Sequence, residues 1–373
     1  MVAHKPELLS LKLDDRGTVR DRSVLASGWG ITDDYHDWTC GIVRDSKGNF
    51  FVGLGSDYTF KNRPKANSRW RGDILRIEPG GKIESIAHGL RYPTGLTIDD
   101  QDRLFCTDQQ GVQNTFNELN LIQAGHRYGV PSRHEPNPEA PADPPAVQIP
   151  HPWTRSVNGI VWVPKSNSKS LAPFAGQFLA CEFNNHALIR MSVQSVGDVV
   201  QGAVYPFSKP AKEGDSSNFV GPLCLGLSPR GEIYVGGLQD GGWAGGLNVG
   251  DIVKLTTNGE LPNGIREIRA TPSGFEIEFF DKIDPVRGAE TSQFKISGYT
   301  RIWKGDYATP DTGNHSCDIQ SATLKSDGRT VRLVVSGRKP RHVYDISVGE
   351  IGAETQRVLW PSLGHYTLHQ IPD

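Results

Sequence analysis

Short polar clusters in this sequence lie at the two ends of apolar, strand-like runs. Those entering a run carry His36, Asp37 and Trp38; Arg91 and Tyr92; Arg155, Ser156 and Asn158; and Asn218. Those leaving one carry Asp57; Asp108, Gln109 and Gln110; Glu182 and Asn184; and Asp240 with Trp243. Gathered at one mouth, an imidazole, two guanidinium groups, several carboxylates and two indoles would suit a polar, anionic or sugar-like ligand. The histidine could accept a proton near neutral pH. Each group also suits a structural role. Asp57, Asp108, Glu182 and Asp240 recur at one position, where an acid can accept backbone N–H groups at a turn. Arg91 and Arg155 can be ion-pair partners of those acids. Trp38, Trp153 and Trp243 can pack between sheets, and His36 can be a hydrogen-bonded structural histidine.

The elements that must position these groups repeat along the chain. Cys40 to Asp57 reads as apolar strand, polar-glycine turn, apolar strand, acid. Thr94 to Asp108, Asn158 to Glu182 and Leu223 to Asp240 repeat that order. Gly41, Gly95, Gly159 and Cys224 hold equivalent places, at intervals of 54, 64 and 65 residues. Third strands follow at Gly72, Ala187 and Gly250, and fourth strands at Lys82 and Gly202. Antiparallel four-stranded units at such spacing describe the blades of a β-propeller. Four units are visible, plus a half unit at the start in which ELLSLKL and RSVLASG read as third and fourth strands. The expected architecture is therefore all-β, with a propeller over residues 1–262 that lacks part of its N-terminal blades.

From Leu261 the repeat stops. Six or seven strand-like runs follow, with an Asp327-Gly328 hairpin signal, and they suggest an immunoglobulin- or fibronectin-like β-sandwich over residues 263–373. It carries no catalytic cluster.

Composition narrows the function. The 373 residues carry 40 basic and 42 acidic side chains with no long run of either sign, so nucleic acid and anionic membranes are poor partners. No stretch approaches ~20 apolar residues, so no span of a bilayer is expected, and no secretion signal is visible at the start. The five cysteines form no CxxC and no CxxCH, which argues against a disulfide framework and an attached haem. His88, His126, His134 and His151 lack metal-ligand spacing, and the run Gly241 to Gly246 reads as a wide turn.

The run from Gly89 to Pro131, GLRYPTGLTIDDQDRLFCTDQQGVQNTFNELNLIQAGHRYGVP, resembles the soluble PQQ-dependent sugar dehydrogenases. It matches their G-x-R-x-P-x-G-L, Q-G, E-[LI]-N-L-I and G-x-x-Y-G-x-P segments in order. HDWTCGIVRDSKGNFFVGLGSD resembles the blade that bears their histidine. Weaker likeness continues to Leu255. HPWTRSVNGI and the appended sandwich look closer to a bacterial "membrane-bound dehydrogenase domain" branch, whose relatives are often fused to cytochrome c.

The resemblance implies a six-bladed propeller and oxidation of a sugar or polyol, with electrons passed to a separate acceptor such as a cytochrome c. It places proton removal on His36 and a cation beside the quinone on Arg91. Tyr92, Arg155, Asn158 and Asn184 would complete the PQQ site, and the carbonyls of Gly111 and Val112 would hold calcium. It implies a periplasmic or secreted protein if a signal peptide lies upstream of this sequence. Some family positions differ: Tyr92 stands for asparagine, Val112 for proline, and Asn184, Asn185 and Leu223 stand where later blades supply lysine and arginine. Those losses favour a competing class, a non-catalytic propeller that binds carbohydrate or a protein partner.

Overall fold

The computed structural model describes residues 1–31, 38–56, 69–111, 114–131, 140–151, 153–166, 171–208, 219–239, 249–256, 261–301, 309–353 and 357–373. Five sheets follow one another along the first two thirds, antiparallel throughout except where β11 pairs with β7. The first comprises β1 (Val2–His4), β2 (Glu7–Leu13) and β3 (Val19–Ser27); the second β4 (Thr39–Arg44), β5 (Phe50–Leu54), β6 (Ile74–Ile77) and β7 (Ile83–His88). The third comprises β8 (Pro93–Ile98), β9 (Leu104–Asp108) and β10 (Asn117–Ile122), with β11 (His126–Arg127) lending itself to the second sheet before β12 (Val147–Ile149) closes the third. The fourth contains β13 (Val157–Val163), β14 (Gln177–Glu182), β15 (Ala187–Val196) and β16 (Val199–Pro206). The fifth contains β17 (Pro222–Leu227), β18 (Ile233–Gln239) and β19 (Val249–Lys254).

Turn chemistry sets the hairpins. Asp45 accepts the Asn49 N–H at 2.7 Å while Gly48 takes φ +91°, and Asp99 accepts the Gln101 and Arg103 N–H groups at 2.9 Å. Asp14 and Ser228 do the same at their own turns. A short acceptor side chain replaces a backbone partner at the point where the chain reverses.

The first strands of successive sheets pack side by side, β1 on β4, β4 on β8, β8 on β13 and β13 on β17, which is the arrangement of propeller blades around an axis. The repeated glycines make this approach possible. A Cβ on Gly41 would lie 2.9 Å from Leu96, one on Gly95 2.5 Å from the Asn158 carbonyl, and one on Gly159 2.6 Å from the Cys224 Cα. Cys224 takes the equivalent place in the fifth sheet and is exposed, so no glycine is needed there. Apolar layers between sheets supply the cohesion, with Phe105, Leu119, Phe178 and Ile189 in one and Ile74, Leu90, Leu96 and Cys106 in another. Each fully buried side chain of this size contributes roughly 1.5–3 kcal/mol. The first sheet holds three strands rather than the two read from the sequence, the addition being β1, which pairs with β2.

The last third forms two further groups of strands. β20 (Ile265–Thr271), β21 (Gly274–Phe279), β25 (Thr330–Ser336) and β24 (Asp318–Leu324) make one sheet, with β24 and β25 joined at the expected Asp327-Gly328 turn. β22 (Phe294–Arg301), β23 (Asp311–Ser316), β26 (His342–Val348) and β27 (Leu363–Leu368) pair in the order β27-β26-β22-β23. Phe275, Ile277, Leu333, Tyr344 and Tyr366 fill the layer between them. These strands are not detached from the propeller. β27 pairs with β16, so the fourth blade and this second group form one eight-stranded sheet.

Arg190 fastens the same junction. Its buried guanidinium donates to Gln177 Oε1 at 2.8 Å and to the carbonyls of Ile265 (2.7 Å) and Arg266, and it lies 4.3 Å from the Tyr205 ring. Among the described residues no helix is long and apolar enough to cross a membrane.

Candidate functional site

Two carboxylates shape the mouth. Asp108, the last residue of β9, is fully buried and accepts the backbone N–H groups of Arg91 (2.8 Å) and Tyr92 (2.6 Å), which enter β8. Glu182, the last residue of β14, likewise accepts the N–H groups of Arg155 (2.8 Å), Ser156 (2.9 Å) and Asn185 (2.5 Å). The recurring acid therefore does act as a turn acceptor at both blades. Its partners are the backbones of Arg91 and Arg155, so neither arginine side chain is needed to complete that bond.

Burial pushes the Asp108 carboxyl upward, while the Arg91 and Tyr92 N–H groups and the Arg91 charge pull it back. Burial also raises Glu182, against the N–H groups that solvate its anion.

The loops so held present their side chains to each other. The Arg91 guanidinium is buried against Gly111, and a Cβ there would overlap it. Arg91 Nη1 faces the Gln109 carbonyl at 3.3 Å and Gln109 Oε1 at 3.5 Å. The Gln109 amide donates to Ser156 Oγ, and Asn158 Nδ2 donates to the Ser156 carbonyl at 2.9 Å. Thr107 Oγ1 closes the circuit by donating to the Asn158 carbonyl at 2.6 Å. One network thus joins Arg91, Gly111 and Asn158 across the third and fourth blades. Tyr92 is half-buried beside it, while Arg155 and Asn184 are exposed on the fourth blade.

Asn117 latches the same two loops, accepting the Gln110 N–H at 3.0 Å and donating to the Thr154 carbonyl at 3.3 Å. Gln110 meets the His151 ring at 2.8 Å. Burial, then the charges of Arg155 and Arg301, lowers the His151 pKa, so the imidazole is neutral at pH 7. Asn117 and His151 were not singled out from sequence as mouth residues. The only signal for Asn117 was its place beside the E-L-N-L-I segment.

His36, Asp57, Val112, Asn218, Asp240 and Trp243 lie outside the described residues. Trp38 is 49 % exposed with the Lys5 ammonium 5.0 Å above its ring. Trp153 packs instead against the His365 ring, at 5.2 Å. Among the described residues no three histidine, cysteine or acidic side chains form a metal cluster. The Gly111 carbonyl accepts the Asn114 N–H at 3.0 Å. Nearby acceptors are less satisfied: Asn114 Oδ1, Glu118 Oε1 and Asn120 Oδ1 are buried without a hydrogen-bond partner. Burial and the Asp108 charge raise the Glu118 carboxyl well above its usual range.

Comparison with known proteins gives this mouth a context. Similar solved structures include the PQQ-bound form of aldose sugar dehydrogenase from Streptomyces coelicolor, 18 % identical over 66 % of this chain and 71 % of that one, TM-score 0.46. The soluble aldose sugar dehydrogenase of Escherichia coli in its apo form is 19 % identical over 61 % and 68 %, TM-score 0.45. The PQQ domain of pyranose dehydrogenase from Coprinopsis cinerea is 14 % identical over 62 % and 74 %, TM-score 0.43. No curated protein matches this chain. A model of the Glucose / Sorbosone dehydrogenase family matches residues 3–205, a span that holds every mouth residue from His36 to Asn184. The match extends over more than half of the sequence, and the chain belongs to the glucose/sorbosone dehydrogenase family.

Proposed function

We propose that this protein is a PQQ-dependent dehydrogenase that oxidises a sugar or polyol and passes the electrons to a separate acceptor. The family match over residues 3–205, which includes the mouth residues from His36 to Asn184, carries this reading. The residues present fit the cofactor. The buried guanidinium of Arg91 sits in a cradle open only because residue 111 is glycine, and exposed Arg155 supplies a second cation within the same blade pair. The resemblance adds Tyr92, Asn158 and Asn184 to the residues that would hold the cofactor. When bound, the quinone supplies the hydride acceptor.

The chain's own residues do the rest. Arg91 is held by Gln109 and by its backbone bond to Asp108, and with the quinone bound it would supply the positive charge that stabilises the negative charge developing there. The resemblance assigns proton acceptance to the His36 imidazole, and the Gln109–Ser156–Asn158 network holds the Arg91 loop in place. Calcium suits the hard oxygen donors of this region: the Gly111 and Val112 carbonyls, with unpartnered Asn114 Oδ1 and Glu118 Oε1 close by in the chain.

A cytochrome c partner and a periplasmic or secreted location belong to the same reading, as does the division into a propeller (1–262) and an immunoglobulin-like sandwich (263–373). The absence of cationic side chains at Asn184, Asn185 and Leu223 favours one rival, a propeller that binds carbohydrate without turnover. Dye reduction with an aldose panel after loading with PQQ and calcium separates the two. Turnover supports the dehydrogenase, and sugar binding with no turnover supports the rival.

A further inference from the structure

A cavity of about 300 Å³ lies where the mouth-facing end of the fourth blade meets the segment entering β27. Trp153, Glu182, Leu188 and Ser208 line it from the propeller side, and Trp360, Ser362 and Leu363 from the other. It exists only because β16 and β27 pair, so neither region forms it alone.

Its walls specify a ligand chemistry. Two indoles give broad apolar faces that suit the C–H face of a saturated ring or a flat aromatic one. Trp153 is fixed in place by the His365 ring behind it, and His365 is in turn bonded through Nδ1 to Asp345 at 2.6 Å. The polar groups discriminate. Ser208 Oγ accepts the Leu188 N–H at 2.8 Å, which leaves its hydroxyl proton to donate. Glu182 already accepts three backbone N–H groups and can only accept more. An aromatic hydrocarbon would bury the Ser208 hydroxyl proton unmet, at a cost of about 1–3 kcal/mol.

Charge narrows the choice again. The lining holds a carboxylate and no cationic side chain, so an anion is opposed. Three N–H donors already solvate that carboxylate, which weakens the pull on a cation. The volume stands at the low end for small-molecule sites and admits one ring.

We propose that this junction cavity binds a single uncharged, hydroxylated ring, a monosaccharide unit, at a site that shares Glu182 with the mouth but does not include the Arg91 cradle. The hydroxyls of the ring donate to Glu182 and accept from Ser208, and its C–H face rests on the indoles. The site requires no cofactor and stands whether or not the mouth performs oxidation.

The test uses the full chain without PQQ. D-glucose, D-galactose and D-xylose are titrated while tryptophan fluorescence and saturation-transfer NMR are recorded, with choline and phenol as probes of the cationic and aromatic classes. At least one sugar should saturate in the millimolar range, a free energy near −4 kcal/mol. Ser362→Phe fills the cavity from a half-exposed position and should weaken binding at least tenfold. Trp360→Leu removes one stacking face and should do the same, and melting curves of both variants establish that they fold. Arg91→Met should leave binding unchanged. The proposal is overturned if no sugar saturates by about 100 mM, well above the expected range. It is also overturned if both folded cavity variants bind as the parent does, if Arg91→Met abolishes binding, or if choline or phenol binds more tightly than every sugar.

Discussion

Gly111→Ala is the smallest change that reaches the proposed cofactor site. Residue 111 has no side chain, and an added Cβ would overlap the guanidinium carbon of Arg91 and both nitrogens beside it. Carbon atoms rest at roughly 3.5–4 Å, so the guanidinium must retreat by about 1 Å or more. Its long contacts to Gln109, at 3.3 and 3.5 Å, are lost, but the backbone bond from Arg91 to Asp108 survives. Two weak hydrogen bonds contribute about 1 kcal/mol together or less, so folding should shift little. Function should shift more, because a displacement of about 1 Å at a charge-stabilising group can lower rate or affinity ~10²-fold. PQQ titration followed by cofactor absorbance, together with melting curves, measures both. The expected result is a 10- to 100-fold weaker PQQ affinity with a melting point within about 2 °C of the parent. Gly226→Ala, where an added Cβ meets nothing within 4 Å, serves as the control. Parent-like PQQ affinity in Gly111→Ala would refute the cradle argument.

Other perturbations probe different links. Arg190→Met leaves Gln177 Oε1 and the Ile265 carbonyl without this buried donor, while the Arg266 carbonyl keeps the Gln177 amide, and should destabilise by about 2–5 kcal/mol as read by chemical denaturation; a change under about 1 kcal/mol would show that the clamp is dispensable. Burial lowers the His369 pKa below 6.5 despite its 2.7 Å bond to the Pro145 carbonyl. A histidine so lowered adds stability above its unfolded pKa and loses it as pH falls, so His369→Gln should flatten the decline below about pH 6.5, and an unchanged acid limb would contradict the assignment. His36→Ala should stay within about 1 kcal/mol of the parent in stability yet slow turnover roughly 10²–10⁴-fold; equal turnover would remove His36 from the chemistry.

Much of the frame was legible because its signals repeat. Gly41, Gly95 and Gly159 marked the first strands of consecutive blades, and the structure explains them by close approach of the neighbouring blade. The change to Cys224 at the fourth repeat falls where that approach ends and the residue is exposed. The acids at Asp108 and Glu182 were legible as turn acceptors for the same reason. Elements without an apolar pattern were not. β23, DTGNHS, is largely exposed, and β11 is two residues long, so neither leaves a periodic trace.

The pairing of β16 with β27 was hidden for a different reason. It joins residues about 160 positions apart through backbone groups, and backbone hydrogen bonds have no residue signature. The Arg91 cradle was missed in the same way. Nothing in the spacing of Arg91 and Gly111 says that one packs on the other; only the path of the loops held by Asp108 and Asn114 brings them together.

The central claim is that the mouth uses PQQ to oxidise a sugar or polyol. Its most direct test is reduction of an artificial electron acceptor by the purified protein, with and without added PQQ and calcium, across a panel of aldoses and polyols. The account predicts turnover that requires PQQ, saturates with at least one of these substrates and falls at least tenfold in Gly111→Ala. Absence of PQQ-dependent turnover on every substrate, from protein that melts cooperatively, would contradict it.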